Sequence, residues 1–239
     1  MKLNIAHLYP DLLNLYGDSG NILCLQKRCA WRGIECAVTP LVSGRDFDFS
    51  PYDLIFIGGG QDREQKLVLS DLTLKKCSSL GNAVQSGAVV LAICGGYQLL
   101  GRFYETAAGE RLDFTGILDL YTCAGEKRLI GNYEFKTAEK IRIIGFENHS
   151  GRTFLGSGVA PLGRVLKGFG NNGVDKTEGA RYKNTFCTYC HGPVLPKNPD
   201  FADMLIKAAL ERRYDEVELA PLDCSQELLA RRQIRDLYI

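Results

Sequence analysis

The chain has 239 residues, 45% hydrophobic and 24% charged, which is enough to bury the core of one large α/β domain or of one domain with a small appendage. Its 29 basic and 28 acidic side chains leave a net charge of +1, which excludes the strong positive field of a nucleic-acid or anionic-membrane binder. There is no run of eighteen apolar residues, and Met1-Lys2-Leu3-Asn4-Ile5 opens no signal-like apolar stretch, so a soluble cytoplasmic protein without membrane insertion is expected. The nine cysteines are odd in number and scattered through strand-like and helix-like stretches, which predicts reduced thiols rather than a disulfide framework.

Leu3 to Leu8 reads as a first strand. A turn-rich loop follows, Tyr16-Gly17-Asp18-Ser19-Gly20-Asn21, then an amphipathic helix from Ile22 to Trp31 that ends at Gly33. Ile34 to Pro40 is a second strand, and Asp53 to Ile57 a third that runs into Gly58-Gly59-Gly60. Helical apolar spacing covers Leu69 to Ser86. Next comes the β-branched run Val89 to Ile93, read as a buried strand, which stops at Cys94-Gly95-Gly96 before the helix-like Tyr97-Gln98-Leu99-Leu100. Strand and helix alternate, so a mostly parallel central sheet flanked by helices is expected, with its site at the carboxyl ends of the strands. Gly58 to Gly60 and Cys94 both fall there.

From Arg102 onward the pattern changes. Leu112 to Thr122, Arg128 to Phe135 and Ile141 to Gly145 look like shorter antiparallel strands, an extension of the main sheet. Gly170-Asn171-Asn172-Gly173 is a loop, and Asn184 to Tyr189 a strand that delivers Cys190-His191-Gly192-Pro193. Phe201 to Arg213 is a helix with Phe201, Met204, Leu205, Ala208 and Ala209 on one face, and Leu228 to Tyr238 a final Arg-rich helix. With no internal repeat and no low-complexity linker, residues 1–239 read as a single domain, its C-terminal helices beginning at about 201.

A residue on a strand-to-helix turn is exposed and strained, and adjacent glycines let the backbone bend and a substrate approach. The free N–H groups of the following helix favour a thiolate and an oxyanion. Cys94 is therefore the candidate nucleophile. It needs a base, and the three histidines are His7, His149 and His191. His7 lies inside the first strand, where a core or sheet-edge role is expected. His149 lies in a polar segment, Asn148-His149-Ser150-Gly151, read as a turn that is either structural or lines the pocket. His191 follows a strand and precedes Gly192-Pro193, a tight turn that aims the ring, which suits a general base. The string Cys187-Thr188-Tyr189-Cys190-His191 also matches the c-type haem pattern, but an α/β chain without an export signal does not suit haem attachment. A zinc site lacks its second ligand pair, so no metal is expected and Cys187 and Cys190 are read as core residues.

Four ordered motifs together resemble the class I glutamine amidotransferases. They are Gly58-Gly59-Gly60-Gln61-Asp62, Ala92-Ile93-Cys94-Gly95-Gly96-Tyr97-Gln98, Gly145-Phe146-Glu147-Asn148-His149-Ser150-Gly151-Arg152-Thr153 and Thr188-Tyr189-Cys190-His191-Gly192-Pro193. Within that class the chain resembles the cobyric-acid-synthase-like branch, and most closely the GatD type, the amidotransferase subunits of lipid II isoglutaminyl synthase. The resemblance implies a flavodoxin-like fold and a glutaminase in which Cys94 attacks the side-chain amide of L-glutamine while His191 moves the protons. It implies an oxyanion hole from the backbone of Gly59, Gly60 and Gly95, and glutamine-carboxylate binding by Arg128, whose planar fork suits that anion. It further implies a heterodimer with a Mur-ligase-like subunit of the MurT type. That partner would use ATP and Mg to amidate D-glutamate of the lipid II stem peptide, since this chain has no Walker loop and no cofactor of its own is expected.

The chain departs from the class pattern at one place. A Glu commonly stands two residues after the catalytic His, and here that position is Pro193. The third member is then another acid such as Glu147, with His149 as a further supporting residue, or a backbone carbonyl, or a carboxylate from the partner. In the last case the isolated chain would be a weak glutaminase that strengthens on docking. Two other readings stay open: an amidotransferase for another acceptor, such as a cobyrinic acid carboxylate, and a non-catalytic regulatory module of the same fold.

Overall fold

A computed structural model describes all residues 1–239. The first sheet begins with β1 (Lys2–Leu8), β2 (Glu35–Leu41), β3 (Leu54–Ile57) and β4 (Val89–Ile93), and is completed by β11 (Ala180–Tyr182) and β12 (Thr185–Thr188). Its order is β11-β12-β4-β3-β1-β2, and every pair is parallel except β11 with β12. All residues of β3, β4 and β12 are buried, as strands covered on both faces must be.

The α-helices are α1 (Ser19–Ala30), α2 (Asp62–Asp71), α3 (Cys77–Gln85), α4 (Gly95–Leu99), α5 (Pro199–Glu211) and α6 (Ser225–Tyr238). Helix α1 starts three residues before its predicted position, so Ser19, Gly20 and Asn21 belong to its first turn rather than to a loop. The single helix expected over 69–86 is two helices, α2 and α3, joined by a π-helical segment Leu72–Lys76. Its start lies earlier because Glu64 reaches back to accept a hydrogen bond from the Gln61 N–H at 3.0 Å, closing the first turn. Helix α5 buries seven residues, whereas α6 buries none. Ion pairs of Arg28 with Glu227 (3.7 Å) and Arg231 with Asp200 (3.5 Å) attach α6 to the body.

The second sheet holds β5 (Phe103–Glu105), β6 (Arg111–Asp113), β7 (Leu120–Thr137), β8 (Arg142–Leu155), β9 (Gly163–Lys167) and β10 (Thr177–Glu178). The three short strands expected here are differently divided. Residues 112–122 split across β6 and β7, and the rest forms one long antiparallel hairpin of β7 and β8 with an irregularity between Ala124 and Leu129. Glycines and charges interrupt the apolar pattern of β7 at Gly125-Glu126-Lys127-Arg128 without interrupting the strand. A bridge between Phe146 of β8 and His191 links this hairpin to the first sheet. One buried apolar cluster contains Ile5, Phe56 and Leu91 of the first sheet and Leu120, Phe135 and Ile143 of the second. All nine cysteines are free thiols, and no helix is long and apolar enough to cross a membrane.

Candidate active site

Strand β4 ends at Cys94, whose φ of 47° and ψ of −103° place a non-glycine residue in a sparsely populated backbone region. Such a conformation costs about 1–3 kcal/mol and persists only where neighbours enforce it. The Cys94 N–H donates to Thr188 O at 2.9 Å, and its carbonyl accepts the first helical bond of α4 from Gln98 N at 3.0 Å. The two following glycines are required by close packing. A Cβ on Gly95 would lie 2.4 Å from Gly60 O, and one on Gly96 would lie 2.7 Å from Gly58 O. Cys94 is thus clamped between β12 and the Gly58–Gly60 loop, with its sulfur beside the start of α4.

His191 is completely buried. Its main chain pairs with Phe146, N–H to O at 2.8 Å and O from N–H at 3.3 Å. Its ring packs edge-on against Tyr16, with centroids 4.9 Å apart. Burial pushes the imidazole down, but the Cys94 sulfur and the Asp18 carboxylate outweigh it and lift His191 from its ordinary 6.5 to about 10. Neither ring nitrogen of His191 has a hydrogen-bond partner, so both are left for Asp18 and the Cys94 sulfur.

The acid nearest His191 is Asp18, and the sequence reading missed it. Its Oδ1 lies 3.8 Å from His191 Nδ1, and its Oδ2 accepts the Gly59 N–H at 2.6 Å. Glu147, named among the alternatives for the third member, is fully buried but turned elsewhere: its two oxygens accept the N–H groups of Phe169 (2.8 Å) and Gly170 (2.9 Å). A carboxylate committed to two amides of a neighbouring loop has a structural task. His149 lies within β8 rather than in a turn. Its ring stacks on Tyr189 at 3.6 Å, and its Nδ1 donates to Gly151 O at 2.8 Å. Burial lowers its pKa, more than its contacts with Glu147 and Gly151 raise it, so it forms a neutral wall of the cleft. His7 is buried in β1, tilted against Phe56.

A cleft of about 220 Å³ opens over Cys94 and is lined by Gly60, Gln65, Gln98, Arg128, Asn148 and His149, among others. That is below the roughly 300–1,000 Å³ of sites for drug-sized ligands and suits something the size of one amino acid. Arg128, on β7, donates from Nε to Asn148 Oδ1 (2.8 Å) and from one terminal nitrogen to Asn148 O (3.0 Å), while Asn148 Nδ2 donates to Tyr16 OH at 2.6 Å. The guanidinium keeps three of its five N–H groups for a ligand. Asp62 and Arg63, at the start of α2, add charges of both signs to the cleft wall. Beneath it runs a buried polar chain: Gln65 to Gln98 (2.9 Å), Gln98 to the Tyr189 hydroxyl (3.0 Å), and that hydroxyl with Thr153 (2.6 Å). Of the three expected oxyanion donors Gly59 is not free, its N–H being given to Asp18 Oδ2, whereas the Gly60 N–H has no acceptor within the chain and the Gly95 N–H, in the first position of α4, has none within its helix. Cys187 and Cys190 are fully buried, and no group of three His, Cys, Asp or Glu side chains is placed to hold a metal ion.

Residues 4–199 match the family model of the CobB/CobQ-like glutamine amidotransferase domain. The chain is 44% identical over 217 residues to the GatD subunit of the glutamine-hydrolysing lipid II isoglutaminyl synthase of Streptococcus pneumoniae, covering 90% of this chain and 83% of that protein. It is 42% identical to the subunit of the same name in Staphylococcus aureus, covering 98% and 96%. In fold it is similar to a glutamine amidotransferase from Thermotoga maritima, with a TM-score of 0.58 at 14% identity over 98% of this chain and 94% of that one. The chain belongs to the CobB/CobQ-like glutamine amidotransferase family, in its GatD branch.

Proposed function

We propose that this chain hydrolyses L-glutamine with Cys94 as nucleophile and His191 as general acid and base, and passes the ammonia to a separate Mur-ligase-like subunit of the MurT type. The observation that carries the reading is the strained Cys94 in a cleft that Arg128 also lines, with the buried His191 close enough for its ring to be influenced by the sulfur. With the proton of the pair on His191, the thiolate adds to the amide carbon of glutamine. The oxygen of that carbon takes up negative charge next to the N–H groups of Gly60 and Gly95, with Gly59 holding the loop in place; one such donor contributes about 2.7–4 kcal/mol. The C–N bond then breaks, the imidazolium protonates the departing nitrogen, and ammonia leaves a γ-glutamyl thioester. Water donates a proton to the neutral imidazole as its oxygen attacks, and glutamate is released with thiolate and imidazolium restored. Arg128 fixes the substrate carboxylate through its free N–H groups.

The GatD names of the relatives support the partner and the acceptor, the D-glutamate carboxyl of the lipid II stem peptide. ATP and Mg would bind on the partner, which would activate that carboxyl for attack by ammonia. The test is ammonia release from glutamine by the purified chain, alone and with a co-expressed Mur-ligase-like subunit, followed by ATP-dependent amidation of lipid II. The expected result is release that Cys94→Ala abolishes, and an amidated lipid II only when both subunits are present. A Cys94→Ala complex that still makes ammonia, or a wild-type Cys94 that diazo-oxo-norleucine does not label, would overturn it.

A further inference from the structure

We propose that Asp18 is the positioning residue of this site, orienting His191 through one carboxylate oxygen and holding the Gly58–Gly60 loop through the other. The inference rests on the glutaminase reading above. Asp18 is completely buried and directly precedes α1, yet it makes no side-chain cap to that helix. Asn14 does the capping instead, its Oδ1 accepting the Ser19 N–H at 2.8 Å. The Asp18 carboxylate is turned into the site. Oδ2 takes the Gly59 N–H at 2.6 Å, and Oδ1 stands 3.8 Å from His191 Nδ1 with no hydrogen-bond partner. A buried carboxylate oxygen without a partner is costly, and an approach of about 1 Å would give it the Nδ1–H of His191.

Packing makes that approach a property of the fold. A Cβ on Gly59 would lie 3.0 Å from both Asp18 Oδ2 and His191 Cε1, so loop, acid and imidazole already touch. The first turn of α1 rests on the segment that follows His191: a Cβ on Gly20 would lie 2.5 Å from Pro193 Cγ, and Asn21 Oδ1 accepts the Leu195 N–H at 2.9 Å. Pro193, which stands where the class commonly carries a Glu, thus serves as the surface that seats the element bearing Asp18. With Nδ1–H directed at Asp18, Nε2 is the nitrogen left for Cys94. The titratable groups that face the ring are Asp18, Cys94 and Tyr16, while Glu147 is engaged with the amides of Phe169 and Gly170.

The test is Asp18→Asn in the full chain assembled with its ligase subunit, since Asn can still accept the Gly59 N–H but carries no charge. The expected result is a fall in kcat of about 10²-fold or more with KM changed little. Alkylation of Cys94 by iodoacetamide, which needs no glutamine, should show its upper pH limb moved down by about 1–3 units. In a His191→Ala background Asp18→Asn should cost nothing further. A folded Asp18→Asn with unchanged kcat and an unchanged alkylation profile overturns the proposal. Should that variant not fold, the His191 titration in Cys94→Ser, read by NMR with Asp18 intact, decides: a pKa above 6.5 supports Asp18 as its partner, and one at or below 6.5 refutes it. Absence of ammonia release by the wild-type complex would count against the glutaminase reading, whereas the alkylation and NMR readouts address Asp18 alone.

Discussion

His191 and Phe146 exchange both of their main-chain hydrogen bonds, so the imidazole at the end of the first sheet is held in place by the hairpin of the second. The neighbour of that bridge is Gly145, where an added Cβ would lie 2.0 Å from Cys190 Sγ and 3.1 Å from His191 O. Gly145→Ala should therefore destabilise the protein by about 1–3 kcal/mol, as overpacking does, and lower kcat by moving His191. Cys190→Ala in the same chain removes the sulfur from the clash and should restore part of both. Urea unfolding and ammonia release on the two variants check this, and equal losses in the single and double variants would contradict it.

The parts of this arrangement differ in how well the sequence announces them. Val89 to Ile93 followed by Cys94-Gly95-Gly96 is legible because a buried strand and its terminating glycines are local features. His191 is legible for a similar reason, as a strand ends and Gly192-Pro193 turns. Asp18 is not, since Asp18-Ser19-Gly20-Asn21 has the composition of a turn and only tertiary packing brings its carboxylate to His191. An Asp immediately before a helix is normally read as a cap, and the signal that could have found it is Asn14, a second capping residue in the same segment. The β7–β8 hairpin hides for the opposite reason: Gly125 and the charges that follow it bulge out of the ladder, which resumes in a shifted register at Leu129. His149 reads as part of a turn from its polar neighbours, yet it sits mid-strand because that strand borders the cleft.

The backbone strain at Cys94 yields a separation of stability from activity. Cys94→Gly relieves a φ of 47° that glycine adopts freely, and should raise stability by about 1 kcal/mol while abolishing glutamine hydrolysis. Cys94→Ala keeps the strained conformation and should lose the activity without that gain. Thermal unfolding of the two variants side by side distinguishes them. An Ala variant as stable as the Gly variant would mean that the turn stores no strain.

Arg128 has a prediction that depends on its shape as well as its charge. Held by Asn148, it presents its remaining N–H groups to the cleft. Loss of a charge-assisted pair is worth about 1.5–3 kcal/mol, so Arg128→Ala should raise the KM for glutamine by roughly 10–10²-fold with a smaller effect on kcat. Arg128→Lys should recover only part of this, since an ammonium offers no parallel pair of donors. Steady-state kinetics of both variants, with glutamine amide analogues lacking the α-carboxylate as a control, test the assignment. The analogue should be hydrolysed equally by wild type and variant.

Glu178 sits beneath the site, fully buried, accepting hydrogen bonds from Thr188 Oγ1 (2.6 Å), the Tyr189 N–H (2.9 Å) and Tyr133 OH (3.1 Å), while its Oε2 has no partner. Burial raises its pKa from 4.5 to about 7, against the lowering effect of the donors. Between those two values the folded chain binds more protons than the unfolded chain, so this group makes stability fall as pH rises from about 4.5 to about 7 and adds no slope beyond. The shift corresponds to a difference on the order of 3 kcal/mol across that window. Glu178→Gln keeps an acceptor for the three donors and cannot ionise, so its stability advantage over wild type should be absent in acid and full at neutral pH. Urea denaturation of both proteins at the two ends of the window measures this, and an advantage that does not change with pH would show that Glu178 is not the group that titrates.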